Sequence, residues 1–136
     1  MKVSKTTAAF LFSIVTFTGE VGTDGNPVRR SAFQARFIRA YNSLRKKIVE
    51  AHTQIAIVPS GRKPEELKES DVEWVPNEID FKAPEGFEAR GERFIDGELE
   101  LTDSEKALVK HCIPDEIPAV SDRELDEFNQ LVGTSL

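Results

Sequence analysis

Hydrophobic and polar positions change rhythm several times along this chain, and each change predicts an element. The first block, Ala8 to Phe17, is apolar nearly all round, so periodicity alone does not separate a buried helix from a buried strand. Ser4 or Thr6 suits a helix N-cap and Gly19 a stop, whereas the aromatic and β-branched content favours a strand. The helical reading is preferred because the next element calls for an antiparallel partner. Residues 19–27 hold three glycines, an Asp24-Gly25 step and an Asn26-Pro27 step, and read as a loop. From about Arg29 to Ile57, the apolar residues Phe37, Tyr41, Leu44, Ile48, Ala51 and Ile55 recur at spacings of three and four, with Phe33 one turn earlier. That stripe predicts one long amphipathic helix laid against another element.

Beyond the stripe, Val58-Pro59-Ser60-Gly61 ends the helix and Pro64 opens a short turn. Pro76, Pro84 and Gly86 then break residues 72–91 into short extended pieces, an arm in which Pro favours sheet edges. Asp96-Gly97, between Phe94-Ile95 and Leu99, carries the strongest hairpin signal. Two capped helices close the chain. Thr102-Asp103-Ser104-Glu105 and Ser121-Asp122-Arg123-Glu124 each have the capping-box form, and Gly133 is the last stop. The expected architecture is α+β in a single domain, 1–136: a helical hairpin at 8–57, an acidic arm with short strands at 64–101, and two short helices at 102–133.

Composition suits one modest core: 136 residues, 39% hydrophobic and 31% charged, so part of the chain is expected to lie outside it. Charge is divided unevenly. Through Lys63 there are eleven Lys and Arg against three acids, a balance of +8; the remainder carries seven bases against twenty-one acids, or −14. Such a split bears on association rather than on fold. The single Cys112 excludes an internal disulfide framework and fits a reducing compartment. The basic head before Ala8 resembles an export signal, but no A-x-A-like cleavage site follows, and a ten-residue run is far short of the roughly 20 residues a membrane span needs.

Groups suited to catalysis are few. His52 lies beside the apolar stripe and reads as a structural histidine. His111 and Cys112 are neighbours, which on a helix point about 100° apart and do not face each other. Two His and one Cys do not make a zinc cluster, and no Asp-rich calcium loop is present. The glycines of residues 19–25 lack the order and the Lys-Ser/Thr ending of a phosphate-binding loop. No enzyme activity, cofactor or metal is therefore expected.

The run from Arg29 to Arg39, preceded by an apolar segment and followed by a long charged helix, resembles small uncharacterised proteins of tailed bacteriophages. Ser31, Arg36 and Phe37 stand where that group's helix-start pattern has them, while Ala32 replaces an Arg. The likeness spans about residues 8–57, with an echo at 94–113. It implies a phage or prophage origin and brings no function with it. The expectation is a non-enzymatic protein-protein interaction protein: an assembly adaptor, a virion component or a modulator of a host protein, in the host cytoplasm or the virion. Trp74, Val75, Ile79, Phe81 and Phe87, which have no obvious core of their own, would meet a partner or fill a groove of their own domain. Arg36, Arg39 and Lys46 would supply the basic side of an interface with a second copy or with another protein. The alternative is a nucleic-acid-associated accessory protein using the basic helix 29–47, against which stands a sequence pI near 5.0.

Overall fold

The computed structural model describes residues 1–15, 32–78 and 81–136. The expected loop at 19–27, Arg29, Arg30 and Ile79 lie outside the described residues, and of Phe33 only the backbone is described. In chain order the elements are β1 (Lys2–Val3), α1 (Lys5–Ile14), α2 (Ala32–His52), β2 (Thr53–Pro59), two short 3-10 turns (Pro64–Glu66 and Glu69–Asp71), β3 (Glu73–Pro76), β4 (Phe87–Phe94), β5 (Gly97–Glu98), α3 (Asp103–Cys112) and α4 (Asp122–Val132). Helices and two small antiparallel sheets, β1-β5 and β3-β2-β4, make this an α+β fold.

Local chemistry sets most of the helix ends. Ser4 Oγ accepts the Thr7 N–H and starts α1, the helical outcome of the ambiguous first block. Thr102 Oγ1 accepts from Glu105 N at 3.2 Å, while the Glu105 carboxylate accepts from Thr102 N at 2.9 Å, a complete capping box. Ser121 caps α4 through Glu124 N, and Gly133 closes it in the left-handed conformation.

The core gathers Val3, Ala8, Phe10, Leu11, Ile14, Leu44, Ile48, Leu99, Val109, Phe128 and Val132 from both ends of the chain. α1 lies between α2 and α4, with the Phe10 and Phe128 rings 5.1 Å apart. It runs antiparallel to α2. Its last turn, at Ser13 and Ile14, lies near Phe37 early in α2, and its first residue is tied to Asp96, next to Gly97, which packs on His52 at the end of α2. Along the stripe, Leu44 and Ile48 are buried, while Phe37 and Tyr41 are half-buried.

Two expectations need correction. The long helix does not reach Ile57: it ends at His52, and residues 53–59 form the central strand of the three-stranded sheet. Ile55, Ile57 and Val58 are β-branched and favour a pleated surface. At the junction Thr53 Oγ1 donates to the Val49 carbonyl at 2.5 Å, satisfying an acceptor that the helix end leaves over. The arm at 64–101 is thus a sheet built around a strand from the preceding segment. Nor is there a hairpin at Asp96-Gly97. β4 pairs with β2 and β5 pairs with β1, so those two residues carry the chain from one sheet to the other. Gly97 does not have the positive φ of a tight hairpin turn. It is needed for closeness: a Cβ there would sit 2.5 Å from the Ala51 carbonyl oxygen and 3.3 Å from the His52 ring.

Candidate functional site

Strand register decides where the aromatic residues of the arm go. Ile55 is opposite Val75 and Ala56 opposite Trp74 on one side of β2, while Gln54 is opposite Arg93 and Thr53 opposite Phe94 on the other. Side chains alternate between faces, so Gln54, Trp74 and Arg93 share one face, and Thr53, Ile55, Val75 and Phe94 the other. Phe94 meets Phe12 of α1 at 6.0 Å, so the Gln54, Trp74 and Arg93 face looks away from α1.

On that outer face each strand contributes one member of a row. The Arg93 guanidinium lies 4.0 Å from the centre of the Trp74 ring, and its Nε and one terminal nitrogen donate to Gln54 Oε1 at 3.1 and 2.8 Å. Stacking and two hydrogen bonds hold the guanidinium flat, an arrangement worth about 0.5–1 kcal/mol at an exposed position. Trp74 stays 36% exposed. The row presents a fixed aromatic and cationic surface to solvent.

The other expected partner residues scatter. Val75 faces Ile55 and is half-buried, Phe81 is half-buried and its N–H bonds to the Glu78 carbonyl, and Phe87 is 44% exposed at the far end of β4 beside Pro59. Arg36 and Arg39 are exposed in the first half of α2, at the end opposite the sheet, and Lys46 pairs with Glu50 one turn on, at 3.9 Å. The bases and the aromatic row therefore do not form one surface.

Two other bases of α2 are bound to the chain itself. Arg45 donates to the Val15 carbonyl at 2.6 Å and to that of Phe12 at 3.4 Å, and its guanidinium stacks 3.8 Å from the Phe12 ring. Lys47 pairs with Glu105 at 2.8 Å and donates to the Glu100 carbonyl. Partial burial alone would push the Glu105 carboxyl up, but the Lys47 ammonium and the Thr102 N–H outweigh it and hold it below the usual range. The Met1 ammonium bonds to Glu100 and lies 3.4 Å from Glu98. The Glu100 bond raises the amine above its ordinary value, and the same bond lowers the Glu100 carboxyl. No periodicity in the sequence marks these contacts, because each joins residues distant along the chain.

His52 is fully buried. Its Nδ1 lies 3.0 Å from the Ile95 carbonyl, and its own carbonyl accepts the Ile95 N–H at 2.7 Å, so one residue clasps the crossover between the sheets from two directions. His111 and Cys112 do share a cleft, of about 430 Å³, with Ser13, Ile14, Phe37, Ile113, Pro114 and Pro118. His111 packs edge-on to Phe37 at 5.3 Å and Ser13 Oγ donates to the Phe10 carbonyl at 2.6 Å, both packing roles. Among the described residues no trio of His, Cys, Asp or Glu is placed to hold a metal, and no helix is long and apolar enough to cross a membrane. Comparison with known proteins gives no match to a family, to a curated protein or to a solved structure.

Proposed function

We propose that this chain is a non-enzymatic protein-protein interaction protein, an assembly adaptor that engages its partner through the outer face of the β3-β2-β4 sheet. The observation that carries the reading is the Gln54, Trp74 and Arg93 row: a large aromatic ring left partly in solvent and locked in place by a stacked guanidinium. A tryptophan ordered before binding costs little further entropy on contact, which is why Trp and Arg dominate the energetics of interfaces. The test is affinity capture from cells producing the protein, wild type beside Trp74→Ala. A specific protein retained by the wild type and reduced about tenfold or more by the variant, with the melting temperature unchanged, is expected. Equal retention by both would overturn the reading.

A second reading, nucleic-acid binding by α2, is favoured by Arg36 and Arg39, which are exposed and have no ion-pair partner among the described residues. The internal contacts of Arg45 and Lys47 leave it less charge to work with than the sequence suggests. Binding that weakens steeply with salt and is lost in Arg36→Ala/Arg39→Ala would favour it.

A further inference from the structure

β4 is an edge strand of its sheet, and apart from the Phe87 N–H, which bonds to the Pro84 carbonyl at 3.0 Å, no strand pairs with its outer side among the described residues. Ala89 to Arg93 are all exposed. Hydrogen-bond directions along β2 show which β4 amides point outward. The Thr53 carbonyl accepts from Asn77 on the β3 side, whereas the His52 carbonyl and the Ser60 N–H bond to Ile95 and Gly86 on the β4 side. Backbone groups alternate in direction along a strand. Thr53, Ile55, Ile57 and Pro59 therefore turn away from β4, and their opposites Phe94, Glu92 and Ala89 turn their backbone groups outward, as Phe87 does its carbonyl, its N–H being bonded to Pro84.

A bulge lies in the middle of β4. Glu92 is opposite Ile55 and Ala89 opposite Ile57, so Arg90 and Gly91 together stand against Ala56, with Gly91 at φ 115. The extra residue resets the alternation, placing Phe87, Ala89, Glu92 and Phe94 on one face and Glu88 and Arg93 on the other. In a regular strand, residues 87 and 94 would point to opposite faces, and symmetric self-pairing centred between residues 90 and 91 would be impossible. The bulge removes that obstacle.

We infer that β4 pairs antiparallel with β4 of a second copy about a two-fold axis through the bulge, joining two three-stranded sheets into one of six strands. In this register Phe87 lies beside Phe94 of the second copy, Ala89 beside Glu92, and Glu88 beside Arg93, each pairing occurring twice. Charge complementarity selects a copy of the same strand as occupant. Of the two acids and two bases of β4, the register sets Glu88, which also pairs with Arg90 of its own strand at 2.8 Å, against Arg93 of the second copy on the outer face. The exposed Phe87 ring gains the Phe94 and Phe12 pair of the other copy as its neighbour. Charged side chains and a bulge ordinarily keep an edge from pairing with arbitrary strands. A strand bearing the same bulge and the complementary charges is the one partner for which both features fit.

The experiment is sedimentation velocity of the purified chain over a micromolar to submillimolar range, so self-association is read separately from capture of other proteins through Trp74. Wild type is expected to move from monomer to dimer with rising concentration. Glu88→Arg and Arg93→Glu alone, each setting like charges against each other, are expected to weaken the dimer about tenfold or more, and the double charge swap to restore it. Ala89→Pro removes an outward N–H without touching the ladder to β2 and is expected to leave the chain folded, by its circular dichroism melt, and monomeric. Wild type that stays monomeric throughout overturns the proposal. A dimer indifferent to folded Ala89→Pro, or a charge swap that fails to restore association, overturns it equally.

Discussion

At the scale of single residues, the ion pairs that tie the chain together set a pH window. The Met1 amine is raised above 8.0 in the folded chain by its bond to Glu100, so its contribution is complete below pH 8.0 and is lost as pH rises through the raised value. Glu100 and Glu105 are lowered from 4.5, Glu100 by the amine and Glu105 by Lys47 and the Thr102 N–H, which together outweigh its burial. Their contributions are complete above pH 4.5 and are lost as pH falls through the lowered values. Thermal melts are expected to hold level between these limits and to decline outside them. Glu100→Gln should reduce the alkaline decline, with Glu98 still near the amine; an unchanged alkaline limb would show that the amine pair does not contribute.

At the scale of elements, α2 is held by the buried Leu44 and Ile48, each contributing about 1.5–3 kcal/mol by burial. Leu44→Asp places an unpaired charge in that seam and should cost about 3 kcal/mol or more, a large part of a typical 5–15 kcal/mol stability. Arg39→Ala, on the exposed side, should stay within about 0.5 kcal/mol. Urea melts of both variants check this, and a wild-type midpoint for Leu44→Asp would mean the seam is not closed. The same contrast explains what could be read in advance. The stripe, the Ser4, Thr102 and Ser121 caps and the Gly133 stop act over a few residues and were legible. The switch from α2 to β2 was not, because Ile55 fits a helical stripe as well as a strand, and what decides is pairing with Val75 and Glu92, twenty and more positions away. Gly97 misled in the same way: the sequence displays a turn-forming residue, and the fold uses its lack of a side chain against Ala51 and His52. Of the candidate row, Trp74 stands out in the sequence through its lack of an evident core. Arg93 was missed, because its role depends on lying across β2 from Trp74.

For the molecule as a whole, ion pairs among the described residues join the two halves of the charge asymmetry. Met1 meets Glu98 and Glu100, and Lys47 meets Glu105, joining the basic first half to the acidic second. These are surface pairs, screened by solvent and individually weak. Raising sodium chloride to about 1 M, where the Debye length is roughly 3 Å, should therefore lower the melting temperature by only a few degrees. A collapse of the melt at high salt would show instead that charge pairing, rather than the apolar core, carries the fold.

The packing of α1 between α2 and α4 also governs when this protein can fold during its own synthesis. α1 leaves the ribosome well before α4: the Glu127 carboxylate that binds Ser4 N lies 123 positions later, and Phe128, which packs beside Phe10, follows it. Until then Phe10, Leu11 and Ile14 lack their cover on the α4 side, and the strand pairing of β1 must wait for residues 97 and 98. Through that interval a nascent chain of this design has an apolar helix exposed. Its yield in the cell should therefore track how well chaperones shield that helix until the last turn of α4 arrives.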